Sequence, residues 1–227
     1  MIRGRVDNTW RAAVFFLAIL ATVAISNSAR AQRDEREERE QREQREQRER
    51  NEHGYTVESS NPRPMDYGGG RGGSNISDAR CGPESVAVGF HVQMGQYYNL
   101  VWVDCAHLRP DGNLGHNERS TEQAGTPGGR DVRDAGCPEG QALVGLQGST
   151  GASIDEAAGL CVDPREIPDP RGNRRVQFTN AIAIPHPAGR PAQVQCSAGE
   201  VMVGLRARSG QWIDHLWVLC ADLHRDR

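Results

Sequence analysis

No lysine occurs among the 227 residues, so every one of the 27 basic side chains is arginine. That removes Schiff-base chemistry through a side-chain amine. Aromatic residues make up only 5% of the chain, too few to build a core from large rings. The net charge of −3 is small and of mixed sign, and no basic stripe calls for nucleic acid. Gly-x-Ser-x-Gly, His-Glu-x-x-His and phosphate-binding loops are all missing, so no enzyme signature is present. His91, His107, His116, His186, His215 and His224 are scattered without zinc-ligand spacing. No run of alternating carboxylates forms a calcium loop. Neither a metal nor a cofactor is expected.

A long apolar run is also missing. Ala12–Ile25 spans fourteen residues, short of the roughly 20 a membrane helix needs. It follows basic Met1–Arg11 and precedes small residues ending Ala29-Arg30-Ala31. That order reads as a signal peptide, residues 1–31, and implies secretion to the periplasm or the exterior. Residues 32–53 are almost wholly Arg, Glu and Gln, with arginine at every third position from Arg33 to Arg48. They hold nothing to bury and read as a spacer, extended or partly helical. Residues 54–73 read as a Gly/Pro-rich linker ending Gly68-Gly69-Gly70-Arg71-Gly72-Gly73.

What is present is a repeat within residues 74–227. Three segments align without a gap, at 81–105, 137–161 and 196–220, each cysteine, twenty-three residues, cysteine. Each carries Val-Gly at one offset (Val88-Gly89, Val144-Gly145, Val203-Gly204). A glycine stands six residues later (Gly95, Gly151, Gly210), and four beyond it Asn99, Asp155 or Asp214. Apolar residues alternate before the glycine: Val86, Val88, Phe90; Ala142, Val144, Leu146; Val201, Val203, Leu205. Period two means a half-buried strand. A second strand then runs into the closing cysteine.

Export puts the six cysteines in an oxidising compartment. Of the fifteen pairings six cysteines allow, the repeat singles out Cys81–Cys105, Cys137–Cys161 and Cys196–Cys220. Each bridge closes a loop worth roughly 3.5 kcal/mol in the chain-entropy model. The thirty-odd residues between repeats have room for two more short strands. The expectation is an all-β domain of three four-stranded sheets around a pseudo-threefold axis, burying one shared core.

The three-copy strand–glycine–strand pattern resembles the type I β-prism of vitelline membrane outer layer proteins and jacalin-related lectins, from about Gly68 to Leu223. The cysteine-bounded repeats resemble the former, the Gly-x-x-x-Asp turns the latter. The resemblance implies Greek-key sheets and a sugar pocket formed by such a turn beside a Gly-rich loop. Gly210-Gln211-Trp212-Ile213-Asp214 matches the motif. Gly151-Ala152-Ser153-Ile154-Asp155 matches without an aromatic, and Gly95-Gln96-Tyr97-Tyr98-Asn99 has Asn for the acid. The Gly68–Gly73 run resembles the Gly-rich loop.

The chemistry of the third turn suits a sugar. A carboxylate accepts from paired hydroxyls, an indole packs on a C–H face, and glycine lets backbone approach. Candidate ligand residues are therefore Gly210, Trp212, Asp214 and Arg208, with Gly151 and Asp155 as a lesser pair, and Arg206 as a further donor. Each Asp equally suits a turn-capping role. Trp102 and Trp217 read as packing residues, and Gly89, Gly145 and Gly204 as bulge or close-packing glycines. Two main functions stay open, with a secreted enzyme whose site the sequence does not reveal as a weaker third. One is a secreted, non-catalytic glycan-binding module meeting glycans or envelope components. The other is a structural or protein-interaction domain of the envelope or matrix.

Overall fold

The computed structural model describes residues 54–120, 122–167 and 175–225, with Arg36, Arg39, Gln41 and Arg42. The signal-peptide segment lies outside the described residues. Contacts divide the chain at residue 51. In the first part, the four arginine- and glutamine-rich positions above are helical and exposed.

Among the described residues the second part is strands, with one 3-10 turn at Pro164–Glu166. In chain order the strands are β1 (Tyr55–Val57), β2 (Arg63–Gly69), β3 (Asn75–Arg80), β4 (Ser85–Met94), β5 (Tyr98–Leu108), β6 (Leu114–Arg119), β7 (Ala124–Gly125) and β8 (Asp131–Gly136). They continue as β9 (Ala142–Thr150), β10 (Ile154–Val162), β11 (Gln177–Phe178), β12 (Ile182–Ala183), β13 (Arg190–Gln195), β14 (Glu200–Ser209) and β15 (Ile213–Arg225).

Three antiparallel sheets result, each centred on one repeat's hairpin. Sheet I runs β6-β5-β4-β8, with β7 also on β5. Sheet II runs β11-β10-β9-β13, with β12 also on β10. Each is four strands wide, its outer position shared by two short strands. The fourth strand returns beside the first, which is Greek-key order. Sheet III runs β1-β15-β14-β3, with β2 also on β15. Its outer strands come from the chain's beginning and its hairpin from the end. The first strands of the hairpins, β4, β9 and β14, pack against one another, so three pseudo-equivalent sheets share an apolar interior, divided into two clusters.

The expected linker, residues 54–73, is thus corrected: it supplies β1 and β2. Pro64 and two glycines argue against a strand on their own. Pairing with β15, from Arg63 opposite Cys220 to Gly69 opposite His215, overrides that tendency. Only an edge position tolerates the proline, and Tyr67 anchors the strand, 3% exposed and donating its hydroxyl to the Glu156 carbonyl at 2.6 Å.

The hairpins share one irregularity. Ala87 pairs with Cys105 but Gly89 with Asp104, leaving Val88 as an extra residue. Val144 and Val203 are skipped in the same way. These are β-bulges, and they correct the simple alternation. Val86 and Val88 belong to one apolar cluster with Ala142, Val144, Val201 and Val203. Phe90, Leu146 and Leu205, past the bulge, belong to the other. The glycine after each bulge meets a neighbouring strand: a Cβ on Gly145 would lie 2.2 Å from the Val194 carbonyl, and on Gly204 2.4 Å from that of Ala79.

The three disulfides pair as expected. Their placement differs from a simple clasp across a hairpin. Cys81 follows β3 in sheet III and donates its N–H to the carbonyl of Val203, while its partner Cys105 lies on β5 in sheet I. Cys137, donating to Val88, ties sheet I to Cys161 on β10; Cys196, donating to Val144, ties sheet II to Cys220 on β15. Each bridge lies within one repeat in sequence and joins two sheets in space.

Candidate functional site

The turn joining each hairpin closes in one way. The N–H of Gly95, Gly151 and Gly210 donates to the carbonyl of Tyr97, Ser153 and Trp212 respectively, at 3.2, 2.9 and 3.0 Å. The fifth residue of each turn faces a glycine from a segment that leads into one of the repeat-opening cysteines, which for the third turn is Cys81. A Cβ on Gly73 would lie 2.6 Å from Asp214 Oδ2, one on Gly128 2.9 Å from Asn99 Nδ2, and one on Gly189 2.8 Å from Asp155 Oδ2. Each repeat thus brings its Gly-x-x-x-Asp or Gly-x-x-x-Asn turn beside a glycine segment.

The third turn receives the Gly68–Gly73 run, a placement the sequence left open. The Gly70 N–H donates to the Asp214 carbonyl at 2.7 Å. A Cβ on Gly72 would lie 2.3 Å from Asp214 Oδ1, and one on Gly70 2.3 Å from the Ala152 carbonyl of the second turn. The run is therefore threaded between two turns, and at Gly70, Gly72 and Gly73 a side chain would collide with them. Gly73 adds a backbone requirement at φ +66.

The two carboxylates are used differently. Asp214 Oδ2 accepts the Gly210 N–H at 3.0 Å, and Oδ1 accepts no hydrogen bond among the described residues. Asp155 is fully engaged: Oδ2 accepts the Ala188 N–H at 3.1 Å and Oδ1 faces the Ser153 hydroxyl at 3.4 Å. Trp212, partly exposed, has its counterpart in Ser153 in the second turn and Tyr97 in the first. The third turn alone combines a carboxylate oxygen without a donor, an accessible indole and a glycine wall.

The arginines serve the frame. Arg208 Nη2 donates to the Gly70 carbonyl at 2.6 Å, and its guanidinium lies 5.7 Å from the Trp217 ring centroid. Arg206 grips Asp78 with Nε–Oδ1 at 2.7 Å and Nη2–Oδ2 at 3.0 Å. Trp102 is buried and stacked on His91, and Trp217 packs against His215. Tyr97, which the motif passed over, packs on Trp212 with ring centroids 4.7 Å apart. A separate exposed trio, Glu58, Asp222 and His224, has ligand-type atoms within 4.8 Å of one another.

Three four-stranded antiparallel sheets closed on one another, two in Greek-key order and the third completed by the chain's leading strands, are the architecture of a type I β-prism. No family model matches the chain, and no curated protein does. Among solved structures it is similar to Malaysian banana lectin, 16% identical with a TM-score of 0.46, over 71% of this chain and 99% of that one. Frutapin, a lectin from Artocarpus incisa, is 12% identical with a TM-score of 0.46, over 72% and 99%. A mannose-binding jacalin-related lectin from Ananas comosus is 16% identical with a TM-score of 0.44, over 69% and 96%.

Proposed function

We propose that this is a secreted, non-catalytic carbohydrate-binding protein whose principal site is the third-repeat turn. One observation carries the reading: Asp214 holds its turn with one oxygen and keeps the other free, beside the accessible ring of Trp212 and the backbone of Gly72 and Gly73. A sugar offers adjacent hydroxyls to such a carboxylate and a C–H face to such a ring. Gly210, Trp212 and Asp214 make the contacts. Arg208 holds the glycine wall through Gly70. The pair Gly151 and Asp155 is a weaker second site, because its carboxylate is already occupied and no ring stands beside it. The partners are glycans or glycan-bearing envelope components, met by a domain carried on the charged spacer.

A glycan array probed with the wild type, Asp214→Ala and Trp212→Ala tests this. Wild-type binding lost in Asp214→Ala and weakened about tenfold in Trp212→Ala is expected. Binding unchanged by Asp214→Ala removes the site, and no wild-type binding removes the function.

One observation favours a purely structural reading. The Gly210 N–H to Asp214 bond recurs at Gly95 and Asn99, at 3.2 Å, so the side chain at this position also closes the turn. In that reading the domain is a durable envelope module, and Asp214→Ala lowers stability with no binding to lose.

A further inference from the structure

The first and third turns are fused, and the residue that fuses them is the one that departs from the motif. Asn99 Oδ1 accepts the Gly95 N–H at 3.2 Å, as Asp214 does in its own turn. Asn99 Nδ2 then donates to the Gln211 carbonyl, 3.1 Å away in the third turn. An aspartate has no proton for that bond. Thr126 reinforces the junction: its N–H donates to the Asn99 carbonyl at 2.8 Å, and its hydroxyl to the Gly210 carbonyl at 2.8 Å. The next residue along from Gln211 is Trp212, on which Tyr97 packs. Tyr97 is partly exposed, and its hydroxyl has no partner among the described residues. The second turn has Ser153 at this position.

We propose that the binding site is built from two repeats. The first turn holds no sugar site of its own. It contributes Tyr97, ring and hydroxyl, as a second subsite adjoining Trp212, and the ligand is a linked glycan of at least two sugars. This rests on the carbohydrate reading above. One sugar meets Asp214, Trp212 and the glycine wall; the next lies against the Tyr97 ring and its free hydroxyl. Asn99 is a positioning residue that fixes Tyr97 against Trp212.

The probe is a printed array of mono-, di- and trisaccharides of mannose, glucose, galactose and N-acetylglucosamine, followed by titration of the best-bound series. Variants are Tyr97→Phe, Tyr97→Ala, Asn99→Asp and Asp214→Ala, each checked by circular dichroism for a wild-type fold. Trisaccharide should bind more tightly than monosaccharide. Tyr97→Ala should weaken the trisaccharide about fivefold and leave the monosaccharide within twofold. Tyr97→Phe should lose part of that, and Asn99→Asp should resemble Tyr97→Ala. Equal weakening of mono- and trisaccharide in Tyr97→Ala, or no weakening of either, overturns the second subsite. So does binding that survives Asp214→Ala and disappears in Asn99→Asp. No wild-type binding to any printed sugar overturns the carbohydrate reading itself.

Discussion

At the scale of single residues, one motif supports two different chemistries. Asp155 and Asp214 occupy equivalent positions, yet neighbours decide what each can do. Asp155 is closed by Ala188 and Ser153, whereas Asp214 Oδ1 accepts no hydrogen bond among the described residues. The motif let the sequence nominate Gly210, Trp212 and Asp214 as the proposed site, because they lie within five residues of one another. Tyr97 and the destination of the Gly68–Gly73 run were not legible, since contacts across more than a hundred residues place them. A third carboxylate is structural. The hydrogen bond from Arg206 holds the Asp78 carboxyl below the usual range, aided by the nearby charges of Arg206 and Arg80. A lowered folded-state value means stability present above the unfolded value, near 3.9, and lost as pH falls through the lowered one. Wild type should therefore exceed Asp78→Asn by about 1 kcal/mol at pH 7. The gap should close below about pH 4, as read by urea unfolding at stepped pH.

At the scale of elements, the bulges explain which part of the pattern could be read. Both faces of each hairpin are apolar near the Val-Gly pair, because two clusters meet there. Val86, Val88 and Phe90 therefore look like one stripe while facing two clusters. The recurring glycines betrayed a constraint at that point, and their cause is the carbonyl of the adjoining strand. Gly204→Ala would press a methyl group to 2.4 Å from the Ala79 carbonyl, and should cost about 2 kcal/mol. Gly136→Ala meets nothing within 4 Å and should change stability by less than about 0.5 kcal/mol. Chemical denaturation of the two variants separates a crowded glycine from a tolerant one.

For the whole molecule, the cysteine spacing fixed the pairing before any geometry was known, but not what the bridges join. Each cysteine that opens a repeat ends a strand of the preceding sheet, so the three bonds run as a ring: III to I, I to II, II to III. β1 and β2 of sheet III escaped the sequence because their partner is β15, roughly 150 residues away. A chain beginning at Ser74 lacks β1, β2 and the buried Tyr67. It should lose at least about 3 kcal/mol and melt well below the chain that retains residues 54–73, as followed by thermal circular dichroism.

The head-to-tail closure of sheet III has a consequence for how the protein assembles. During synthesis β1, β2 and β3 emerge first and their partner hairpin last, so their bare margins wait through most of translation. When two chains mature side by side, the leading strands of one find the trailing hairpin of the other equally complementary. Exchange of those strands would give an intertwined pair that keeps the native strand pairings of sheet III.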